Sequence, residues 1–548
     1  MKDVVFKRAG QTAMMVILFS VASSMMGLAQ ENPAVKQARQ FIYKDQPVKA
    51  IGILNDAIKA NPTDASLLYY LGRTQILLGQ NQQAEISFQK GLDLNPKEAI
   101  NTAGKGHLRM VENNVNEAKQ LLEQAISSTK SKNPAVLRAV ADAYLANDKF
   151  TNEAITALQK AKSDNDPYTF ILLGDANVKL GNGGAAVTAY EKAASLDPKD
   201  GFPHYKIGVV YFRAKNNAVA EEALIKATTV DPNALLAHKE LGEFYYVQKQ
   251  FPKAVKSHEA YLALLDKSDV KKFDDAEFKH AFYLFANKEY AKANAIFANL
   301  IKKPDASVNV YKYYFYSLVK SSNFDEAKNI WAQYTVKAGD SIQASDWVNY
   351  AEMLVEQKQD SLAIIAYKTS LDLEKNSEIA EKVAEMLFSA KRYADAADAY
   401  EVVKSVRGKL TSRQWFDYGR ASYASKRLIK ADSAFAELMA VQPTITPPYA
   451  WRGRTAAAID SMNTTFAAKP YFEKVLEIGA ANPEKSKADM IQAYEYLGFY
   501  FDAKSDFAGA KSMFEKLKAI DPTNLKATEY LKAMSQSQQQ KKKKSGTK

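Results

Sequence analysis

One pattern of small, apolar and helix-ending positions recurs along the chain at a period of about 34 residues, the interval at which helix–turn–helix hairpins repeat. In one unit it reads Leu71-Gly72, Ala84, Phe88, Gly91 and Pro96; in another, Ile207-Gly208, Ala220, Leu224, Ala227 and Pro232. The same offsets return at Gly174, Ala186, Tyr190, Ala193 and Pro198, and again at Gly498, Ala510, Phe514, Leu517 and Pro522. Each residue type has a physical task at its offset. Glycine or alanine at the eighth position lets the first helix approach the second, and alanine at the twentieth is its partner, since larger side chains would wedge the pair apart. An aromatic residue or leucine at the twenty-fourth position fills the gap between neighbouring hairpins. Asn-Pro and Asp-Pro steps, among them Asn61-Pro62, Asn95-Pro96 and Asp231-Pro232, end a hairpin because proline disfavours helix in the residue before it.

This pattern closely resembles the tetratricopeptide repeat family over residues 31 to about 522, more strongly at both ends than in the middle. The resemblance implies an all-α solenoid, a right-handed superhelix of about fourteen hairpins closed by a C-terminal capping helix. Expected units start near Glu31, Ala65, Ala99, Ala135, Pro167, Gly201, Leu235, Asp274, Val308, Ala344, Ser377, Ser412, Thr446 and Ile491. They group into residues 31–266 with seven units, 274–443 with five, of which those from Asp274 to Val406 lose the glycine and the proline, and 446–535 with two units and the cap. In the middle block the second-helix cues survive, as in Tyr290, Ala293, Phe297 and in Tyr393, Ala396, Tyr400. A charged insert from Asp266 to Asp275 and a stretch from Met462 to Lys469 break the spacing and are candidate joints. Ala527, Tyr530, Leu531 and Met534 line one stripe of the cap, and residues 536–548 are expected to form a polar, lysine-rich disordered tail.

Composition narrows the setting. Hydrophobic residues make up 47% of the chain and charged residues 25%, so it can bury a large core. Lys2, Lys7 and Arg8 precede an apolar run from Ala13 to Val21 and then Gly27-Leu28-Ala29, which predicts a signal peptide over residues 1–29, cut after Ala29. No later stretch is apolar for the ~20 residues a bilayer crossing needs. With no cysteine in the sequence, thiol chemistry and disulfides are out, and export without disulfides fits a bacterial periplasm, with outer-membrane association as a variant. The formal charge of +12 falls to +10 without residues 1–29 and to +5 once the five lysines of Lys541–Lys548 are set aside, too mild to mark a nucleic-acid partner. The lysine run is a candidate for peripheral contact with anionic lipid or polysaccharide.

The chemistry-bearing residues do not assemble into a catalytic pattern. His107, His204, His238, His258 and His280 form no spaced ligand set, and His204, His238 and His258 fall at packing positions. Gly181-Asn182-Gly183-Gly184 sits in a hairpin turn with no preceding strand and no following Lys-Ser or Lys-Thr, so it is not a phosphate loop. No Gly-x-Ser-x-Gly elbow is present. The expectation is a non-enzyme without cofactor or metal; an enzymatic or enzyme-regulatory role in the less regular stretch 274–406 is the minor alternative.

What remains is surface. In the family the groove is lined by the second, fifth, ninth, twelfth and thirteenth positions of each first helix. Carried over, these give Tyr168 in the fifth unit, Phe202, Tyr205, Phe212 and Arg213 in the sixth, and Lys239 and Tyr246 in the seventh. A second stripe is Lys312 and Tyr316, with Phe416, Arg420 and Tyr423 further along. Such aromatic and basic residues are enriched in protein-binding hot spots. The family's carboxylate clamp needs Lys at the fifth and Asn at the ninth position, but Lys239 and Lys312 are followed by Glu243 and Tyr316, so it is not assigned. The expectation is a scaffold of the bacterial cell envelope whose groove docks other proteins, envelope or outer-membrane ones, with a secretion or envelope-assembly complex as one setting; the alternative is a glycan- or lipopolysaccharide-binding envelope protein.

Overall fold

The structure, a computed structural model, describes residues 32–162 and 165–545; the expected signal segment lies outside them. Among the described residues there are 29 α-helices and no strand. The chain divides into two compact units at Pro304/Asp305. The first holds α1 (Pro33–Tyr43) with α2 (Pro47–Ala60), α3 (Ala65–Leu77) with α4 (Asn81–Leu94), α5 (Ala99–Val111) with α6 (Val115–Ser128), and α7 (Pro134–Leu145) with α8 (Thr151–Ala161). It continues through α9 (Pro167–Lys179) with α10 (Gly183–Leu196), α11 (Phe202–Arg213) with α12 (Asn217–Val230), α13 (Leu235–Val247) with α14 (Phe251–Leu264), and α15 (Val270–Ala286) with α16 (Tyr290–Leu300). The second unit holds α17 (Val308–Lys320) with α18 (Phe324–Ala338), α19 (Ala344–Glu356) with α20 (Asp360–Leu373), and α21 (Ser377–Ser389) with α22 (Tyr393–Arg407). Then come α23 (Ser412–Ala424) with α24 (Leu428–Val441), α25 (Thr446–Ile459) with α26 (Lys469–Gly479), α27 (Pro483–Ala503) with α28 (Phe507–Ile520), and a last helix α29 (Leu525–Ser545). Each unit is a file of hairpins in which a helix touches its partner and its neighbours, an all-α solenoid.

The repeated residues occupy equivalent places. A Cβ added at Gly72 would lie 2.5 Å from the Phe88 ring, at Gly208 2.6 Å from Leu224, and at Gly498 2.8 Å from Phe514. Only a bare backbone permits that approach. The twentieth-position alanines, including Ala84, Ala220, Ala293, Ala363, Ala396 and Ala510, have no exposed surface at all. In the stretch that lost its glycines, Phe297, Tyr367 and Tyr400 are as deeply buried as Phe88 and Phe514, so the hairpin interlock survives where the turn residues have drifted. Asp231 and Asp521 explain the Asp-Pro steps: each carboxylate accepts the N–H two residues on, at 3.0 and 3.2 Å, and turns the chain into the next helix.

Within most hairpins the turn takes one left-handed residue, the α7–α8 turn with its 3-10 segment Asp148–Phe150 being an exception. Gly79 and Gly181 supply it with φ of 71° and 75°, while Lys215, Lys249 and Lys426 take the same conformation at 60°, 58° and 62°. Gly181 therefore marks an ordinary turn.

Three boundaries differ from expectation. The division falls after α16, one hairpin beyond the charged insert, because the insert is wound into α15, where Asp269 accepts the Lys272 N–H and Ala276 packs with Leu235, Tyr261 and Leu265. Helix α27 starts at Pro483 rather than Ile491, with Asn482 capping it. Helix α29 extends past the expected end at Ser535 to Ser545, since Gln and Lys are good helix formers.

Candidate functional site

In the first unit the expected stripe is largely occupied by the chain itself. The Tyr168 ring is stacked 3.9 Å from that of Tyr43 in α1, and the Arg39 guanidinium lies 5.6 Å over it. Phe202 is buried, 6.3 Å from Tyr43 and 5.6 Å from Tyr205. Phe212 meets the buried Phe244 edge-on, and Tyr246 stacks on Tyr283 with Phe251 and Phe282 around it. Lys239 is exposed. Tyr205 and Arg213 line a cleft of about 350 Å³, in which Lys206 pairs with Asp175 at 2.9 Å.

The second stripe divides in two. Lys312 and Tyr316 are tied to Asp346, a carboxylate with no exposed surface. Tyr334 donates to it at 2.7 Å, the Gln343 N–H at 2.8 Å, and Lys312 lies 3.0 Å away. Burial pushes this carboxyl up, but hydrogen bonds from Tyr316, Gln343, Tyr334 and Lys312 outweigh it and hold the group below its ordinary value. These residues brace α17, α18 and α19 against one another.

Phe416, Arg420 and Tyr423 lie elsewhere, around Trp451. Phe416 and Tyr423 meet its ring edge-on at 6.1 and 5.6 Å, and Arg420 sits 5.8 Å over it. Beyond Tyr423 opens a cavity of about 710 Å³ whose wall includes Arg454, Phe466, Gln492, Glu495, Tyr496 and Phe499. Arg454 lies 4.5 Å over Trp451 and its Nε donates to Gln492; burial pulls its pKa down, with Asp489 and Tyr423 partly opposing. No carboxylate pairs with it among the described residues. Glu495, on the same wall, is paired with Lys526.

The Met462–Lys469 stretch builds one side of this cavity. Asp460 accepts N–H bonds from Thr464 at 2.8 Å and Thr465 at 2.9 Å, which folds the segment into a fixed turn. Phe466 is held there at φ 53°, a conformation non-glycine residues rarely adopt, with its ring 5.0 Å from Tyr500.

His107, His258 and His280 serve as filling, while His204 and His238 are half-exposed. His258 takes the twenty-fourth-position slot in α14, stacked on His280 and edge-on to Tyr283. His107 is buried 3.8 Å from Asp142, and His238 meets the Pro232 carbonyl at 3.0 Å. No three metal-ligating side chains converge among the described residues.

Family models of the tetratricopeptide repeat match residues 53–86, 168–200 and 205–269. These three matches support a tetratricopeptide repeat protein. No curated protein matches it in sequence. Similar solved structures include the C-terminal part of a TPR repeat-containing protein from Cytophaga hutchinsonii, 29% identical, covering 46% of this chain and 99% of that one with a TM-score of 0.31. The Cut9–Hcn1 hetero-tetramer of the APC/C is 15% identical, covering 79% and 96% with a TM-score of 0.30. A thermophilic TPR protein in Thermus thermophilus is 16% identical, covering 39% and 97% with a TM-score of 0.27. In this tetratricopeptide protein the groove positions, carried onto the last two hairpins, select Arg454, Gln492, Glu495 and Phe499. Sequence reasoning stopped short of applying them there. Trp451 and Phe466 gave no such signal, since one lies outside the groove positions and the other off register.

Proposed function

We propose that this chain is a non-catalytic protein-interaction scaffold of the bacterial cell envelope, and that it docks a partner in the second unit's cavity. The observation that carries the reading is Arg454: a half-buried guanidinium ion-paired to no carboxylate among the described residues, set in a wall of aromatic rings. A protein segment that places a carboxylate beside an apolar or aromatic side chain supplies both the missing charge and the filling. The envelope setting is supported by the signal-like residues 1–29 and the absence of cysteine. Among the described residues no helix is long and apolar enough to cross a membrane.

Crosslinking in intact cells, followed by recovery of attached proteins from wild type, Arg454→Glu and Tyr246→Ala chains, tests this. A partner should be lost with Arg454→Glu and kept with Tyr246→Ala, whose ring is already engaged internally. Retention of every partner by Arg454→Glu removes the cavity from consideration, and fractionation that finds the chain in the cytoplasm removes the envelope setting. The ring-lined wall with Gln492 also suits a sugar ring, so displacement of the crosslinked partner by isolated cell-wall glycans would favour the glycan reading instead.

A further inference from the structure

Helix α1 makes two kinds of contact. One is the stacking expected of a first hairpin, against α2 and α3. The other reaches hairpins that are not its neighbours. Arg39 Nη1 lies 2.9 Å from Asp166, and Lys44 Nζ lies 3.2 Å from Asp200 and 2.8 Å from Asp231. Tyr43 lies between these two cations, against Tyr168 and Phe202. The next residue, Asp45, takes Lys272 of the charged insert at 2.6 Å, and its carbonyl accepts from the same ammonium at 2.9 Å. Burial opposes the charge on Lys44, yet Asp200 and Asp231 hold its pKa above the ordinary lysine value.

The receiving face does not depend on α1 for its shape. Asp166 accepts the Tyr168 N–H at 2.9 Å, Asp200 the Phe202 N–H at 3.0 Å and Asp231 the Asn233 N–H at 3.0 Å. Each carboxylate is thus fixed by the start of its own hairpin, and on Asp166 and Asp231 the second oxygen meets the cation. Tyr168 and Phe202 stand on helices positioned by the repeat. The occupant, in contrast, belongs to the first described hairpin, which among the described residues has a neighbouring hairpin on one side only, and its α2 buries just Ala50 and Leu54. End units of a solenoid are the first to open.

We propose that the face formed by Asp166, Asp200, Asp231, Tyr168 and Phe202 is a docking site for a basic–aromatic helical segment, with Arg, Tyr and Lys spaced as in Arg39, Tyr43 and Lys44, and that α1 fills it as an internal ligand. A partner protein carrying such a segment competes with α1 and releases the first hairpin. The site is separate in place and in charge preference from the Arg454 cavity, so either can fail without the other.

The test uses the full chain and a fluorescent synthetic peptide of residues 32–46. Wild type, with the face filled, should bind the peptide weakly. In the Tyr43→Ala/Lys44→Asp chain, residues 33–46 should exchange amide hydrogens at least tenfold faster and the peptide should bind at least tenfold more tightly. Adding Asp200→Lys and Asp231→Lys should abolish that gain. The exchange Lys44→Asp with Asp231→Lys restores opposite charges and should restore slow hydrogen exchange, which separates release of α1 from misfolding. Faster exchange without tighter peptide binding overturns the proposal, as does exchange unchanged from wild type, a charge swap that restores nothing, or dimers that trade first hairpins, since the natural occupant would then be a second copy.

Discussion

The inner faces of the two units carry similar residue types and use them differently. In the first unit Tyr168 and Phe202 are covered by Tyr43, and the acids beside them are paired with Arg39 and Lys44. In the second unit Lys312 and Tyr316 are locked onto Asp346, but Tyr423 borders a cavity in which Arg454 forms no ion pair among the described residues. Aromatic and basic character marks a face as adhesive; whether it is free depends on what the rest of the chain lays against it. Two further asymmetries make the contrast measurable. All five histidines lie before residue 305, and all four tryptophans, Trp331, Trp347, Trp415 and Trp451, lie after it. Tryptophan fluorescence therefore reports the second unit alone, while circular dichroism reports both.

The largest effect should come from breaking the second unit's brace. Asp346→Ala removes the acceptor of Tyr316, Tyr334 and the Gln343 N–H and leaves Lys312, whose side chain is 14% exposed, without its counter-charge. Removing one partner of a buried pair costs about 3–5 kcal/mol. Urea unfolding followed by tryptophan fluorescence should show that loss, and an unchanged midpoint would mean that Asp346 braces nothing. Acid should act on the other unit. Burial, the largest cause in each case, pushes His107 and His258 down to about 3 from 6.5. Below pH 6.5 the unfolded chain takes up protons that the folded chain refuses, so stability present above pH 6.5 is lost as pH falls toward 3, at about 1.4 kcal/mol per pH unit for each histidine. At pH 5 that is about 2 kcal/mol apiece. The loss should appear in the circular dichroism transition and not in the fluorescence one. A smaller effect, about 2 kcal/mol, is expected for Tyr43→Ala, which gives up a stacked ring pair and its buried area. It too should spare the fluorescence transition; if both transitions move together, the units unfold as one and the contrast fails.

The fold was legible because it is local. Gly72, Ala84, Phe88 and Pro96 act on one another within a single hairpin, and the same reading placed α3, α13, α17 and α25 at the residues where they begin. The middle stretch kept Tyr400 and Ala396 in the interlock although its glycines were gone. The site was less legible because occupancy is non-local. Nothing near Tyr168 announces that Tyr43, more than a hundred residues earlier, rests on it. The two off-register stretches were read as joints, yet Lys272 ties down Asp45 and Phe466 lines the cavity, which spacing rules fitted to regular repeats do not foresee.

The smallest stability effect is the one that decides what the cavity is for. Arg454 contributes a bond to Gln492 and a cation–π contact with Trp451, the latter worth about 0.5–1 kcal/mol near a surface. With no carboxylate to abandon, Arg454→Ala should lower the fluorescence-monitored stability by under about 1 kcal/mol, a small fraction of the Asp346→Ala loss. Partner recovery by crosslinking should nevertheless fall at least tenfold, because a charge-assisted bond to an incoming carboxylate contributes roughly 1.5–3 kcal/mol. A residue that holds the fold gives the reverse pattern, with a large shift in unfolding and recovery that falls only as far as the folded fraction does. If Arg454→Ala destabilised the second unit as strongly as Asp346→Ala, its guanidinium would be another internal brace, and the second unit's inner face would be as fully engaged as the first.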